Sequence, residues 1–455
     1  MREQLGSRLG FFMVAVGCAV GLGNVWRFPF LAGEYGGGAF VLVYLLAMVC
    51  LGLPILVMEF SIGRAGRMNI AGAMRNLQPA GTKWHVFGYL GIAGNYLLMM
   101  FYTVVCGWTI FYLWQAIIGG LSGITPQESG ALFNGLLASP WQMTFWMGLT
   151  VFGSFYICAL GLIKGVENSI KIMMGGLFVI LLILAARALT LPGAGEGIAF
   201  LLMPDFGRMM EKGLWMSIHA AMGQAFFTLS LGIGCMAIFA SYTDRERSLT
   251  GESVNIAVLD TIVALLAGVI IFAACFAYKQ NIAGGPGLLF VVMPNVFNDM
   301  PIGRLWAILF FLFIAFASVT TVIAVFENII AFAIDNLGWT RRKAAFVNSF
   351  IVFFGSIPCV LGFNLLRGVV EPLGPGSNIM GFLGFLVSDN LLPLGGLAYA
   401  LFCCWRYGWG WDSFVAEANA GQGLKFPLVL RFYCTYILPA IMIVIIVQGY
   451  INRFG

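Results

Sequence analysis

A succession of apolar segments runs along this chain, each long enough to cross a lipid bilayer as a helix. Crossing the hydrocarbon core takes roughly 20 consecutive apolar residues. The predicted segments lie near 9–34, 38–63, 86–118, 140–160, 166–189, 212–242, 254–279, 304–336, 344–363, 377–405 and 427–452. We therefore predict an all-α integral membrane protein of about eleven transmembrane helices that forms a single domain over residues 1–455.

Charge content supports this prediction. Only 9% of the residues are charged, against about 25% in soluble domains. The net charge of +5 is spread along the chain, whereas nucleic-acid binding requires a clustered basic face. The two histidines, His85 and His219, and the absence of a CxxC pair argue against a zinc or haem site and against most membrane enzymes.

Basic residues predict the orientation, because cytoplasmic loops are enriched in Lys and Arg. With the N-terminus inside, the cytoplasmic side carries Arg2, Arg8, Arg64, Arg67, Arg75, Lys83, Lys164, Arg245, Arg247, Arg341, Arg342, Lys343, Arg406 and Lys425. The odd helix number then places the C-terminus outside, in a multi-pass protein of the cell (inner) membrane. Two long loops, 190–212 and 281–303, fall on the outside and are long enough to pack over an entrance.

Two segments look broken in the middle. In the first, Gly17, Gly21 and Gly23 are followed by Asn24 and Arg27. Each glycine costs a helix about 1 kcal/mol relative to alanine, and the polar side chains are expensive at membrane depth. The sixth segment repeats this with Gly223, Gly232 and Gly234 around Gln224–Ser230.

Matching breaks in two halves are typical of inverted-repeat transporters, whose substrate sits at the breaks. Unwinding frees carbonyl groups that can hold a cation and N–H groups that can hold a carboxylate. The alternative is that the glycines serve close helix packing. Asn24, Arg27 and the second break favour the transporter interpretation.

The runs Gly21–Pro29 and Gln224–Gly234 resemble those of the neurotransmitter:sodium symporter family, and specifically its bacterial amino-acid transporters, over essentially the whole chain. The resemblance implies the fold of the bacterial leucine transporter, in which broken helices form the substrate site. It implies two inverted five-helix repeats, about 9–189 and 212–405, and an extra helix at about 427–452. The chain ends there, so a dimer built on a twelfth helix is not expected and a monomer is the prediction.

The resemblance also implies two sodium ions. The first sodium site would use the Ala19 carbonyl and the side chains of Asn24, Thr228 and Asp260. Many family members carry Asn at position 260, so the carboxylate here should bind the ion more strongly. The second would use the Gly17, Val20 and Ala317 carbonyls with the Thr320 and Thr321 hydroxyls, although hydroxyls in membrane helices usually bond their own backbone.

The substrate pocket implied by the resemblance is mostly apolar. Its residues would be Ala19, Gly21, Leu22, Gly23, Leu98, Tyr102, Phe227, Thr228, Ser230, Ile233, Thr321 and Val325. Tyr102 would donate its hydroxyl to a substrate carboxylate. Monoamine carriers of the family have Asp where Gly21 stands, so an amino acid with a neutral, aliphatic or aromatic side chain fits best.

Gating residues follow from the same resemblance. Arg27 would close the site from outside, but its usual Asp partner in the tenth segment aligns with Gly384, and Asp389 is expected to point elsewhere on the helix. On the inside the resemblance implies Arg2, Ser241, Tyr242 and Asp335, with an Arg2–Asp335 pair. A Trp common in the N-terminal tail is Leu5 here, so a looser inner latch is expected.

Two further positions are informative. Glu59 in the second segment should accept hydrogen bonds from amides freed in the sixth break. In the fifth segment, Gly165 is followed by Gly175 where many relatives have Pro, and Gly175-Gly176 is expected to supply flexibility instead.

The sequence thus predicts a sodium-coupled symporter, not an enzyme, that imports neutral hydrophobic L-amino acids by alternating access. A sodium-independent exchanger on the same fold is the main alternative. An ion channel fits poorly because filters are usually built by subunit symmetry.

Overall fold

The structure is a computed structural model that describes residues 3–280, 287–369 and 378–454. Within these ranges the chain is almost entirely helical, and the only strand-type pairings are two isolated bridges, Gly37 with Pro204 and Arg247 with Gln422. The predicted all-α class is confirmed.

Eleven helical segments of the described residues correspond to the predicted spans and are numbered here in chain order. They are span 1 (Arg8–Ala19 with Gly23–Glu34), span 2 (Gly38–Gly66), span 3 (His85–Ile118), span 4 (Pro140–Ala159), span 5 (Leu162–Leu189), span 6 (Leu214–Thr228 with Cys235–Ser241), span 7 (Leu249–Ala277), span 8 (Gly303–Leu337), span 9 (Arg341–Leu361), span 10 (Ile379–Cys404) and span 11 (Leu428–Ile451). Eight are continuous helices long and apolar enough to cross a membrane, and span 1 is a pair bent by 45°.

The break in span 1 is held open by extended backbone. Its first half ends at Ala19, and Val20 has φ −72° and ψ 96°. The chain re-enters a helix through a π-helical turn at Gly23–Arg27. A Cβ on Gly21 would lie 2.4 Å from the Thr321 hydroxyl and 2.6 Å from the Tyr102 hydroxyl, so a side chain at position 21 would have to displace these two hydroxyls.

The break in span 6 depends on left-handed residues. Ser230, Gly232 and Gly234 all have positive φ, at 51°, 88° and 79°. The freed amides of Gly232 and Met236 donate to the Glu59 carboxylate at 2.9 and 3.0 Å. Glu59 thus has the structural role expected from the sequence, because it satisfies N–H groups that a helix would otherwise satisfy.

Span 5 starts earlier than the sequence suggested. It begins with a π-helical turn at Leu162–Glu167 and continues without interruption through Gly175 and Gly176. A Cβ on Gly165 would lie 1.9 Å from the Ile157 carbonyl oxygen, so this glycine allows a close backbone approach. Flexibility at Gly175-Gly176 stays a prediction.

Short helices cover both ends of the bundle. At one end, called the outer end here after the predicted orientation, they are Pro126–Ala138, Ala194–Leu202, Phe206–Glu211 and Leu288–Asn298. Residues 281–286 of the second long loop lie outside the described residues. On the opposite side, Ile70–Leu77 follows span 2 and Trp411–Ala418 follows span 10. These two helices were not predicted because they are short.

Candidate functional site

The two breaks face each other at a small cavity in the middle of the bundle. Its volume is about 20 Å³, roughly the space of one water molecule. It is lined by Cys18, Ala19, Gly21, Gly23, Leu98, Tyr102, Phe227, Ser230, Thr321 and Leu392. Eight of these residues were predicted. Cys18 lies between two predicted residues, whereas nothing in the sequence pointed to Leu392 of span 10.

Three polar side chains from spans 1, 6 and 7 converge beside this cavity. Asp260 accepts hydrogen bonds from the Asn24 amide at 2.8 Å and from the Thr228 hydroxyl at 3.0 Å. The side-chain oxygen Oδ1 of Asn24 accepts a hydrogen bond from the Gly21 N–H at 3.0 Å. All three side chains are buried, and Asp260 has no exposed surface.

A carboxylate without solvent contact needs compensation, because removing a charge from water is costly. Asn24 and Thr228 are neutral, so their hydrogen bonds compensate only in part. The oxygens of the Asp260, Thr228 and Asn24 side chains are hard ligands of the kind that suit a small alkali cation. The chemistry of this donor set therefore fits a sodium ion, and the Ala19 residue lines the adjoining cavity.

A second group of oxygens surrounds the Thr321 hydroxyl. It lies 3.3 Å from the Gly17 carbonyl, 3.5 Å from those of Cys18 and Val20, and 3.2 Å from that of Ala317. The neighbouring Thr320 hydroxyl donates within its own helix, to Phe316 at 2.8 Å and Ala317 at 3.1 Å. The structure thus gathers the predicted second set, although Thr320 makes the local bonds that are common in membrane helices.

The hydroxyl groups of Tyr102, Ser230 and Thr321 contribute to the cavity wall. Tyr102 accepts a hydrogen bond from the Leu22 N–H at 3.0 Å, so its own hydroxyl proton remains available to donate. Ser230 donates to the Cys18 carbonyl at 3.3 Å. Gln224, which was not predicted as a site residue, ties the breaks together by donating to the Gly23 carbonyl at 2.7 Å. Gln224 could have been predicted as a site residue, because it begins the glycine-rich run Gln224–Gly234.

Four predicted pocket residues are not among those that line this cavity. Leu22 lines a second, larger cavity and Thr228 hydrogen-bonds Asp260, while Ile233 and Val325 are buried elsewhere. Ile233 is buried against span 3, where its Cγ2 lies 2.9 Å from the position of a Cβ on Gly94. Its carbonyl accepts from Asn95 at 2.7 Å and Asn328 at 3.4 Å. The left-handed residues on either side turn Ile233 away from the cavity. Val325 is buried one helical turn beyond Thr321, and both assignments stay predictions.

A second cavity of about 290 Å³ lies on the outer side. Tyr102 and Phe227 line both cavities and therefore stand between them. Arg27 places its guanidinium over the Phe227 ring, 4.4 Å from the ring centre. Its Nη1 is buried without a hydrogen-bond partner among the described residues.

The expectation that Asp389 points away from this gate is wrong. Asp389 lines the outer cavity with Arg27 and Gly384, and its carboxylate is close enough to interact electrostatically with Arg27. The reason is that Phe385–Leu391 forms a π-helix. Its hydrogen bonds join residues five apart, so Gly384 and Asp389 fall on one face. In an α-helix the residues that share a face are three and four apart.

The polar network at the inner end of the bundle includes side chains that were not predicted. Tyr242 donates to Glu327 at 2.8 Å, and Arg341 pairs with Glu327 at 2.7 Å and with Glu3 at 2.5 Å. Sequence reasoning missed Glu327, although a buried acid within an apolar run was a signal. The Ser241 hydroxyl donates to the Ile238 carbonyl at 2.6 Å.

Asp335 contacts the start of the short helix Ile70–Leu77. Its carboxylate accepts from the backbone and side-chain amides of Asn69 at 2.8 and 3.1 Å, and Asn69 caps the helix Ile70–Leu77. Arg2, its expected partner, lies outside the described residues.

Comparisons with known proteins agree with this architecture. The family model described as "Sodium:neurotransmitter symporter family" matches residues 2–125 and 133–454. An uncharacterized sodium-dependent transporter of Bacillus subtilis, YhdH, is 35% identical over 99% of this chain and 98% of its own length. The sodium-dependent serotonin transporter of Drosophila melanogaster is 27% identical over 100% of this chain and 78% of its own.

A solved structure shows the same fold. The crystal structure of MhsT in complex with L-phenylalanine superposes with a TM-score of 0.90 at 38% identity, over 99% of this chain and 100% of MhsT. The predicted fold, with helices 1 and 6 broken, is thereby confirmed.

Proposed function

We propose, given that this chain belongs to the sodium:neurotransmitter symporter family, that it imports neutral hydrophobic L-amino acids together with sodium. The chain is a multi-pass membrane transporter and not an enzyme, as the family implies. We further propose the substrate of this transporter, the number of sodium ions it binds and its orientation in the membrane.

The observation that carries the proposal is the buried Asp260 carboxylate beside the break in span 1. A cation bound by Asp260, Asn24 and Thr228 would lie next to the freed amides of Leu22 and Gly23. A substrate carboxylate held by those amides and by Tyr102 would complete the coordination of the ion. Substrate and sodium would then each strengthen the binding of the other, which is the basis of coupled transport.

Two sodium ions fit the two oxygen groups. The second ion would be held by carbonyls of spans 1 and 8 with the Thr321 hydroxyl, and it would join these two spans. Thr320 would contribute once its hydroxyl turns from the Phe316 carbonyl, which a rotation about χ1 permits.

The side chain of the substrate is inferred from the apolar wall. Leu98, Phe227 and Leu392 offer no hydrogen bond, and an unpaired polar group buried against them costs roughly 1–3 kcal/mol. Position 21 carries glycine, so no acidic side chain is available there for a substrate amine. The L-phenylalanine in the MhsT structure supports a hydrophobic amino acid.

Alternating access would use the gates on both sides. Arg27 and Asp389 would close the outer cavity over Phe227, while Tyr242, Glu327 and Arg341 close the inner side. We place the N-terminus in the cytoplasm and the C-terminus outside, in the cell membrane, on the basis of the Lys and Arg distribution. We propose a monomer as the functional unit.

Uptake by proteoliposomes tests the proposal. The purified protein would be reconstituted, and uptake of radiolabelled Leu, Phe, Tyr and Trp compared between an inward sodium gradient and a potassium or choline control. We expect accumulation only with sodium, strongest for one of these four and absent for Lys and Asp. Equal uptake in all three cations would indicate the exchanger alternative instead.

A further inference from the structure

The polypeptide before span 1 contacts several elements at the inner end of the bundle. Glu3 pairs with Arg341, Gln4 donates to Asp244 at 3.2 Å, and Arg8 pairs with Glu252 at 2.9 Å. In each of these contacts at least one partner is exposed by half or more. Exposed pairs of this kind contribute little to stability.

The contact with span 5 is different because it is buried and involves the backbone. The Glu167 carboxylate is 1% exposed. It accepts from the Gly6 N–H at 2.7 Å and from the Ser7 hydroxyl at 3.4 Å. Lys171 pairs with the same carboxylate at 2.5 Å and donates to Ser7 at 3.2 Å. Hydrogen bonds to a buried ionised group are among the stronger ones in proteins.

Both partners are shaped for this contact. Ser7 caps the first half of span 1 by accepting from the Gly10 N–H at 3.0 Å, and the Glu167 carboxylate lies at this helix N-terminus, where the helix dipole favours negative charge. A Cβ on Gly10 would lie 1.9 Å from the Glu167 Oε1. Any larger residue at position 10 would displace the carboxylate.

The same face of span 5 covers the second oxygen group. Glu167, Ile170 and Met174 are spaced by three and four residues, so they lie on one helix face. A Cβ on Gly17 would lie 2.8 Å from the Ile170 Cγ2 and 3.5 Å from the Met174 Cγ. Gly17 supplies one of the carbonyls around Thr321. Span 5 therefore packs directly against the part of span 1 that forms this group.

We propose that Glu167 is a positioning residue that latches the start of span 1 to span 5 and so keeps the second oxygen group covered on its inner side. Separating the two spans requires the carboxylate to release Gly6 and Ser7. The strength of this contact then sets how readily sodium leaves toward the inside. The inference rests on the proposed function only in taking sodium as the ion of this group.

Hydrogen–deuterium exchange of the purified full-length protein tests the latch without any amino acid. Glu167→Ala removes both acceptors, and Glu167→Gln keeps the length and one acceptor but loses the charge. Glu196→Gln is the control, since it removes an exposed acid from the outer helix Ala194–Leu202. Exchange would be followed in peptides covering 3–16 and 162–176 over a series of sodium concentrations.

We expect Glu167→Ala to raise exchange in both peptides by about tenfold, in keeping with the loss of a hydrogen bond to a charged group. Sodium protection of these peptides should require about tenfold more sodium, because the covered arrangement becomes a minor population and apparent affinity falls with its fraction. Glu167→Gln should lie between Glu167→Ala and the wild type, and Glu196→Gln should match the wild type.

Two results would overturn the inference. One is unchanged exchange and unchanged sodium dependence in Glu167→Ala. The other is a uniform rise in exchange across all spans, which would mean that Glu167 only supports the fold. A failure of amino-acid uptake in the proteoliposomes would instead reject the proposed substrate while leaving the exchange result intact.

Discussion

At the scale of single residues, the charge on Asp260 is the most constrained feature of the site. It has no exposed surface, and its described side-chain partners, Asn24 and Thr228, are neutral. Family members often carry Asn at this position, which would offer the ion an oxygen without a full charge. The carboxylate should therefore increase affinity for the first ion rather than choose the substrate.

Replacing Asp260 by Asn tests this role. We expect the sodium concentration for half-maximal uptake to rise about tenfold or more, since interactions with a charged group contribute roughly 1.5–3 kcal/mol. The choice among amino acids should stay the same. The measurement is uptake against sodium concentration for each substrate, and an unchanged half-maximal concentration would contradict the role assigned to the charge.

Gly21 offers a second residue-scale prediction. Its missing side chain leaves room for the Thr321 and Tyr102 hydroxyls, at 2.4 and 2.6 Å from an added Cβ. Gly21→Ala should abolish uptake while the protein still folds. Gly130→Ala is the matched control because nothing lies within 4 Å of its Cβ position; it should transport normally and be slightly more stable, by about 0.5–1 kcal/mol. Uptake and thermal unfolding are measured together.

At the scale of elements, non-α segments place several functional side chains. The π-helical turn in span 10 brings Asp389 to the outer cavity, and the left-handed residues in span 6 turn Ile233 toward span 3. The π-helical turn that begins span 5 ends at Glu167. A local change from α-helical to π-helical hydrogen bonding thus determines which side chain faces a gate.

The outer gate is testable through Asp389. Asp389→Asn removes the charge that faces Arg27, so closure over the outer cavity should weaken and substrate accumulation should fall several-fold. Glu211→Gln serves as the control because it neutralises an exposed acid of the outer helix Phe206–Glu211. The measurement is sodium-driven accumulation at saturating substrate. Equal accumulation in Asp389→Asn and the wild type would remove Asp389 from the gate.

At the scale of the whole molecule, the site exists only because two broken spans from opposite halves meet. Spans 1 and 6 contribute the breaks, span 7 contributes Asp260, and spans 3 and 8 contribute Tyr102 and Thr321. No single span holds a complete ion or substrate site. The molecule therefore gains affinity for each solute only in arrangements that bring several spans together.

Reciprocal linkage follows from this assembly. If sodium tightens substrate binding by some factor, substrate must tighten sodium binding by the same factor. We expect a factor of about 5–150, the usual range for coupled sites. Calorimetric titration of substrate at low and high sodium, and of sodium with and without substrate, measures both. Unequal factors, or a factor of one, would rule out the coupling scheme.

The membrane class, the approximate number of spans and the position of both breaks could be predicted from the residues alone. Long apolar segments have few alternatives in a bilayer, and glycine and polar side chains are expensive there. For the same reason Asn24, Glu59, Arg27 and Asp260 were recognisable as functional or structural residues, and the resemblance to a known family assigned their partners.

The remaining features of the site depend on how the spans pack together. Asp389 faces the outer cavity because of a π-helical turn, which no residue pattern predicts. Leu392 lines the central cavity because span 10 packs against the two breaks. Glu327 with Arg341 and Glu167 with Gly6 join residues more than ten positions apart. Such pairs depend on how the spans pack against one another. The hydrophobic periodicity of one segment does not indicate which distant residue its side chains will contact.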